Sequence, residues 1–324
     1  MKETPGEIPI PVTLVTGFLG AGKTTLLNHL LKSEPEQRFA VIENEFGDFG
    51  VDGSVVGAPR AAVFELNDGC ICCTVREDLI KVFEGLLART SEFDRVIIET
   101  TGLADPVPVL GIFDIPEVRA GFALDGVVTV VDAAHIEESI DEVDACEEQI
   151  SYADLLILNK VDCLSTQALE AIEARLKKLN PIASLVRSQH AKVEANVVFN
   201  LGSRLRSVDE SSHHSHHSHA HEHEHDAEIQ SVVVRAEGDV DVAALDRWLG
   251  SLVRRRSPKV LRMKGILAVP GDPRRFVFNG VRTVVDVRPD QNWGAELRCN
   301  RLVFIGRGLD ASSIQAGLDA CLSA

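Results

Sequence analysis

The sequence predicts an α/β chain: a mostly parallel, doubly wound sheet first, then a small α+β domain. Three observations predict it. The first is a glycine-rich turn, GFLGAGKT at residues 17–24. It lies between the β-branched run Val12-Thr13-Leu14-Val15-Thr16 and leucines at helical spacing from Leu26 to Leu31. The turn fits the phosphate-binding pattern G-x-x-x-x-G-K-[ST] at every fixed position, so the first domain is expected to be a P-loop NTPase. The second is the repetition of short apolar runs, at 39–42, 61–66, 95–98, 126–131 and 154–158, spaced as the buried strands of a parallel sheet are. The third is a change of character near residue 206, where a histidine-rich tract precedes a crowd of strand-like runs. The expected organisation is 1–206, a 207–228 linker, and 229–324.

Composition narrows the function classes. The 324 residues are 45% hydrophobic and 25% charged, as in an ordinary soluble globular protein. A net charge of −16 argues against nucleic-acid binding and against attraction to an acidic membrane. The opening MKETPGEIPIPV has no apolar core of a signal peptide, and no run of 18 apolar residues follows, so a cytoplasmic location is expected. Of seven cysteines, three crowd into four positions, which suggests metal or thiol chemistry before disulfides.

In the glycine turn, the flexible backbone lets N–H groups face a polyphosphate at a helix N-terminus. Lys23 would reach the β- and γ-phosphates, and the Thr24 hydroxyl would bind Mg²⁺. The run Phe39–Ile42 then leads into the acidic, glycine-rich loop ENEFGDFGVDG at 43–53, on the side of the sheet where ligands bind. After the run 61–66 comes Asn67-Asp68-Gly69-Cys70-Ile71-Cys72-Cys73-Thr74, and then an amphipathic helix carrying Leu79, Phe83 and Leu86. Cys70, Cys72 and Cys73 therefore sit in a strand-to-helix turn. A helix N-terminus lowers thiol pKa, and thiolates bind soft metals; buried structural cysteines are the alternative.

Arg95–Ile98 reads as a strand ending at Glu99-Thr100-Thr101-Gly102. A carboxylate there is placed to orient Mg²⁺, a position where many such enzymes use Asp. Gly102 would let a backbone N–H approach a γ-phosphate, and the prolines at 106 and 108 exclude a regular helix just after it. The acidic stretch 137–148 reads as a mostly solvated helix. Asp154–Leu158 is a strand ending in Asn159-Lys160-Val161-Asp162. In N-K-x-D the Asp162 carboxylate can accept the ring N–H and exocyclic amine of guanine, which adenine cannot supply. Lys160 would lie along the base and Asn159 would brace the loop. A helix over 167–179 follows.

Residues 209–228, DESSHHSHHSHAHEHEHDAE, hold eight of the eleven histidines, between His213 and His225. With no apolar residue larger than Ala, the tract cannot build a core, and its imidazoles suit Zn, Ni, Co or Cu. Beyond it, strands are expected at 229–234, 259–269, 274–279, 281–287 and 301–306. Helices are expected from Asp241 and around Ile314, Leu318 and Leu322.

Taken together, GFLGAGKT, ENEFGDFGVDG, GCICCTVREDL, VIIETTGLADP and NKVD resemble the CobW-type GTPases, a P-loop family linked to metal chaperoning. VLRMKGILAV and RLVFIGRGLD resemble the family's C-terminal domain. The resemblance implies that Gly17, Gly20, Ala21, Gly22, Lys23, Thr24 and Thr25 hold the phosphates and Mg²⁺, with Gly102 beside them. It implies Glu99 as the Mg²⁺-side carboxylate and Asn159, Lys160 and Asp162 as the guanine readers. Cys70, Cys72 and Cys73 would bind metal with Glu43 as the oxygen ligand. Asp48 stands where many members have Glu, so it is left out of that set. The implied function is a GTP-hydrolysing metallochaperone that hands Zn²⁺ to a client protein. Lys23, Thr24 and Glu99 would serve catalysis, and GDP would be the product. Co²⁺ also fits such ligands, and a cobalt-directed role in cobalamin synthesis stays open. So does a metal store or sensor with a structural nucleotide. The guanine-reading loop argues against a small-molecule kinase. The motifs leave homo-oligomerisation open.

Overall fold

The computed structural model describes residues 9–43, 60–65, 74–102, 104–201, 228–254, 259–282 and 284–323. Contacts divide the chain into two compact units, Met1–Lys177 with Ala183–Ser203, and Lys178–Ile182 with Arg204–Ala324.

The first unit is built on seven strands. They are β1 (Ile10–Thr16), β2 (Phe39–Glu43), β3 (Ala61–Glu65), β4 (Arg95–Glu99), β5 (Phe122–Asp132), β6 (Leu155–Asn159) and β7 (Ser184–Arg187). They lie in the order β3-β2-β4-β1-β5-β6-β7, and every pair is parallel. Strands β1, β4 and β6 are almost wholly buried, as the sheet's uninterrupted apolar runs require when helices cover both faces. Helix α1 (Lys23–Ser33) lays Leu26, Leu27 and Leu30, all fully buried, against Val15, Val41, Ile97 and Val128. Each such leucine contributes about 1.5–3 kcal/mol. Helix α2 (Thr74–Leu87) buries Leu79, Phe83 and Leu86, and the Phe83 ring meets Phe122 edge-on at 4.9 Å.

Two helical stretches depart from the sequence reading. Val107–Leu110 is a short helix, α3, with Pro108 in its first turn, where a missing N–H costs nothing. A second short helix, α4 (Pro116–Gly121), follows. The acidic stretch is two helices, α5 (Ile136–Glu142) and α6 (Asp144–Tyr152), broken at an extended Val143. The second is not mostly solvated: Cys146, Gln149, Ile150, Ser151 and Tyr152 are buried on β5. Asp144 is exposed and Glu147 and Glu148 are half-buried, while the i, i+3, i+4 set Cys146, Gln149 and Ile150 is buried. Helices α7 (Thr166–Leu179) and α8 (Ala195–Val198) complete the helices of this region.

The second unit is an antiparallel sheet of β8 (Ile229–Glu237), β9 (Lys259–Ala268), β10 (Arg274–Val281), β11 (Val284–Asn292) and β12 (Cys299–Arg307), in the order β11-β10-β9-β12-β8. Strand β8 alternates, with Val232, Val234 and Ala236 turned inward. That face carries α9 (Val242–Val253), capped by the Asp241 carboxylate, and α10 (Ala311–Asp319), capped by Asp310. The Trp248 indole fills the place of a side chain at Gly317, where a Cβ would lie 2.1 Å from Nε1. The expected strand at 281–287 starts and ends later, because Val281 still belongs to β10, where it pairs with Val284 at the start of β11. No helix among the described residues is long and apolar enough to cross a membrane.

Candidate functional site

The candidate site lies along the carboxyl edge of the parallel sheet, where β1, β4, β5 and β6 end. The turn after β1 takes the left-handed backbone at Gly17, Gly20 and Gly22, with φ of 138°, 73° and 108°. At two of these, space alone demands glycine: a Cβ on Gly17 would lie 2.1 Å from the Val130 carbonyl oxygen, and one on Gly22 would lie 2.7 Å from Asn159 Nδ2. Gly22 is also the N-cap of α1, so Lys23, Thr24 and Thr25 form the helix's first turn, with its free amides and positive dipole end. Ala21 is fully buried under the turn, and its N–H donates to Phe18 O at 3.2 Å.

Lys23 curls back over this turn. Its ammonium donates to Gly17 O at 3.0 Å and to Phe18 O at 3.3 Å. Burial pushes its pKa down, and the charge of Glu99 only partly restores it. Thr24 Oγ1 donates to Glu99 Oε1 at 2.7 Å, so the hydroxyl of one element and the carboxylate of another meet beside the lysine. A hydroxyl and a buried carboxylate side by side are a hard oxygen donor set, which suits Mg²⁺. Thr100 is tied in by its N–H to Val15 O at 3.0 Å and its hydroxyl to Thr16 Oγ1 at 2.9 Å. Gly102 then packs directly on the turn: a Cβ there would lie 2.5 Å from Leu19 N.

At the end of β6, Asn159 is fully committed to the frame. Its Nδ2 donates to Ala21 O at 2.9 Å, and its Oδ1 accepts the Ala191 N–H at 2.8 Å. Lys160 adopts a left-handed backbone, φ 61°, and its ammonium donates to Asp132 Oδ2 at 2.7 Å. Asp162 is exposed in the 3₁₀ turn Val161–Cys163. The sequence reading missed three partners here. Asp132, at the end of β5, is buried, which favours its neutral form; bonds from Lys160, His135 and the Ala134 amide outweigh that and hold its carboxyl below the usual range. Ala191 and Ser188, in the turn after β7, brace Asn159 and accept the Val161 N–H respectively. The signal available in sequence was position: both follow the end of a strand on the same edge.

The metal-side residues divide. Glu43 ends β2 in register with Glu99 of β4 on one side and Glu65 of β3 on the other. Cys70, Cys72 and Cys73, the acidic loop after Glu43, and the histidine tract lie outside the described residues. Among the described residues no group of three His, Cys, Asp or Glu side chains is placed to hold a metal. The described cysteines Cys146, Cys163, Cys299 and Cys321 are free thiols, and burial pushes Cys146 up to about 11, away from thiolate chemistry.

Comparison with known proteins gives the family. The family model described as CobW/HypB/UreG, nucleotide-binding domain, matches residues 11–187, and the model for the cobalamin synthesis protein cobW C-terminal domain matches residues 229–322. The chain is 35% identical over 313 residues to the zinc chaperone YjiA of Escherichia coli (strain K12), covering 95% of this chain and 97% of that protein. It is 39% identical over 349 residues to a zinc chaperone CobW of Pseudomonas aeruginosa, covering 97% and 92%. The crystal structure of Zn(II)-bound YjiA GTPase from E. coli matches with a TM-score of 0.70 at 30% identity, covering 98% of this chain and 100% of that one. With both family models matched in order along nearly the whole chain, this protein belongs to the CobW family of nucleotide-binding proteins with a CobW C-terminal domain.

Proposed function

We propose that this chain is a GTP-hydrolysing zinc chaperone; its relatives are named zinc chaperone YjiA and zinc chaperone CobW, and the matching crystal structure is described as Zn(II)-bound YjiA GTPase. Residues 1–206 carry the GTPase, 207–228 the histidine-rich linker and 229–324 the accessory domain. In this reading, GTP lies along the carboxyl edge. Gly17, Gly20, Ala21, Gly22 and Thr25 shape the phosphate cradle, and Lys23 moves its ammonium from loop carbonyls to the β- and γ-phosphates. Thr24 and Glu99 hold Mg²⁺, which supplies charge neutralisation at the phosphates. Gly102 keeps the chain close to the γ-phosphate. Asp162 reads guanine, Lys160 lies along the base, and Asn159 ties the base loop to the phosphate loop. Catalysis comes from fixed positive charge and amide dipoles placed where charge spreads as water displaces GDP.

Zn²⁺ is the cargo, held by Cys70, Cys72 and Cys73 with Glu43, and passed to a client metalloprotein. Co²⁺ fits the same donors. The observation that carries the coupling is the register of Glu43 with Glu99 on adjacent strands. A metal-side and a nucleotide-side carboxylate thus share one rigid sheet edge. If GTP and Zn²⁺ favour the same loop arrangement, each tightens the other by the same factor, typically about 5- to 150-fold. The test is zinc titration of protein lacking residues 211–226, in GDP and in a non-hydrolysable GTP analogue at fixed Mg²⁺. Tighter zinc binding in the analogue is expected, lost when the three cysteines become Ser. Equal affinities would leave a GTPase and a metal store on one chain.

A further inference from the structure

Helix α6 holds a side chain that the functional reading leaves unused. Gln149 is 1% exposed. Its Nε2 donates to two backbone carbonyls, Gly102 O and Ala104 O, each at 3.2 Å. The amide orientation follows from chemistry: turned over, Oε1 would face two carbonyl oxygens. Its own backbone carbonyl is in turn fixed to the sheet, accepting the Thr129 hydroxyl of β5 at 2.8 Å. Gly102 is the residue whose backbone lies against Leu19 of the phosphate turn. A line of contacts therefore runs from β5 through Thr129 and Gln149 to Gly102 and the phosphate loop.

Stability does not explain a glutamine here. Gln149 Oε1 is buried with no hydrogen-bond partner among the described residues. That is a cost an apolar residue of the same size would not carry. What the glutamine supplies is a two-pronged donor that holds the Gly102 and Ala104 carbonyls after β4.

We propose that Gln149 is a positioning residue for GTP hydrolysis, holding the Gly102 and Ala104 carbonyls so that the backbone at Gly102 faces the γ-phosphate. This rests on the GTPase reading above and deepens it. GDP has no γ-phosphate, so the clamp acts on GTP affinity and turnover and leaves GDP affinity alone.

The test uses the full chain and Gln149→Leu, with Thr129→Val as a second variant that keeps the side-chain amide but removes the hydrogen bond from β5 to the Gln149 carbonyl. Three quantities are read: hydrogen exchange of the 100–106 amides without nucleotide, kcat and KM for GTP, and dissociation constants for GDP and a non-hydrolysable GTP analogue. For Gln149→Leu, faster exchange in 100–106 is expected, with kcat lower by about 10- to 100-fold, the range that small misplacements produce. GDP affinity should stay within about twofold, the analogue should weaken, and Thr129→Val should shift the same way by less. Unchanged exchange and an unchanged analogue-to-GDP ratio would overturn the clamp. So would a parallel loss of GDP binding, which marks a merely structural residue. If Gln149→Leu does not fold, Thr129→Val decides alone by the same ratio. Absence of GTP turnover in the wild type would instead defeat the GTPase reading, leaving the exchange arm to judge the clamp.

Discussion

Strand β4 buries a charge at each end, and the two ends are treated in opposite ways. At its start, Arg95 faces a closed set of partners. It donates to Asp125 Oδ2 at 2.7 Å, Thr13 Oγ1 at 3.2 Å and Asn200 Oδ1 at 3.1 Å, with its guanidinium 4.3 Å from the centre of the Phe199 ring. The side chains of Arg95 and Asp125 are 4% and 7% exposed. At its finish, Glu99 takes a hydroxyl from Thr24, while the nearby cation, Lys23, is held by the carbonyl oxygens of Gly17 and Phe18. An opposite charge at 2.7 Å locks a cation in place. Carbonyl dipoles hold it more loosely, and desolvation pushes the lysine toward neutrality. The difference teaches that burial alone does not mark a working charge. The mark is a buried ammonium bonded to carbonyl oxygens and, among the described residues, to no carboxylate; a polyphosphate would supply that counter-ion.

The largest expected effect breaks the closed end. Arg95→Ala should destabilise the first unit by about 3–5 kcal/mol, because Asp125 is left buried without its partner. Chemical denaturation measures this. Replacing both, Arg95→Met with Asp125→Leu, should recover most of the loss. Next comes the open end. Lys23→Ala should lower GTP turnover by about 100- to 1000-fold, the usual cost of one transition-state donor. Its melting temperature should not fall as that of Arg95→Ala does. Wild-type turnover in Lys23→Ala would remove the phosphate-loop assignment.

A smaller effect sharpens the contrast through pH. A lysine whose folded pKa is depressed binds fewer protons in the folded than in the unfolded protein between the two values. Lys23 therefore lowers stability near neutral pH, and that cost fades as pH rises toward the ordinary lysine value of about 10.4. In nucleotide-free protein, the stability difference between wild type and Lys23→Met should shift in the wild type's favour over that rise. The base loop should show a change of similar size: Asp162→Asn should relax a GTP preference of roughly tenfold or more over other bases, as one unpaired polar group is worth about 1–3 kcal/mol. Competition binding with GTP, ATP and xanthosine triphosphate measures it. The smallest effect lies farthest from both ends. Deleting residues 211–226 should reduce the number of metal ions bound and leave GTP turnover and thermal stability nearly unchanged, since the tract has no core residues to lose.

Much of the nucleotide edge was legible because its signals are local. GFLGAGKT needs glycines where φ is positive, and NKVD follows directly on an apolar run. Asn159 was read as the brace of its loop, but the partners that do the bracing were not legible. Asn159 reaches Ala21 across 138 positions and Ala191 across 32, and Gln149 reaches Gly102 across 47. No periodicity in one segment announces a partner so far away. The break at Val143 escaped for a related reason: the acids of 137–148 suggest a wet helix, while Cys146, Gln149 and Ile150 are buried by a strand that a local window does not contain.

The sequence by itself determined the kinds of element and the two-part organisation, and it offered the candidate residues for the chemistry. Each follows from side-chain spacing and backbone freedom within a few positions. Only the tertiary structure decided which strands are neighbours. The order β3-β2-β4-β1-β5-β6-β7 inserts β4 between β2 and β1, and so puts Glu99 within a hydrogen bond of Thr24 and in register with Glu43. Backbone hydrogen bonds would pair any two of these strands equally well. Their order is set by how buried side chains and crossing helices pack over the whole sheet, which no single stretch of sequence contains.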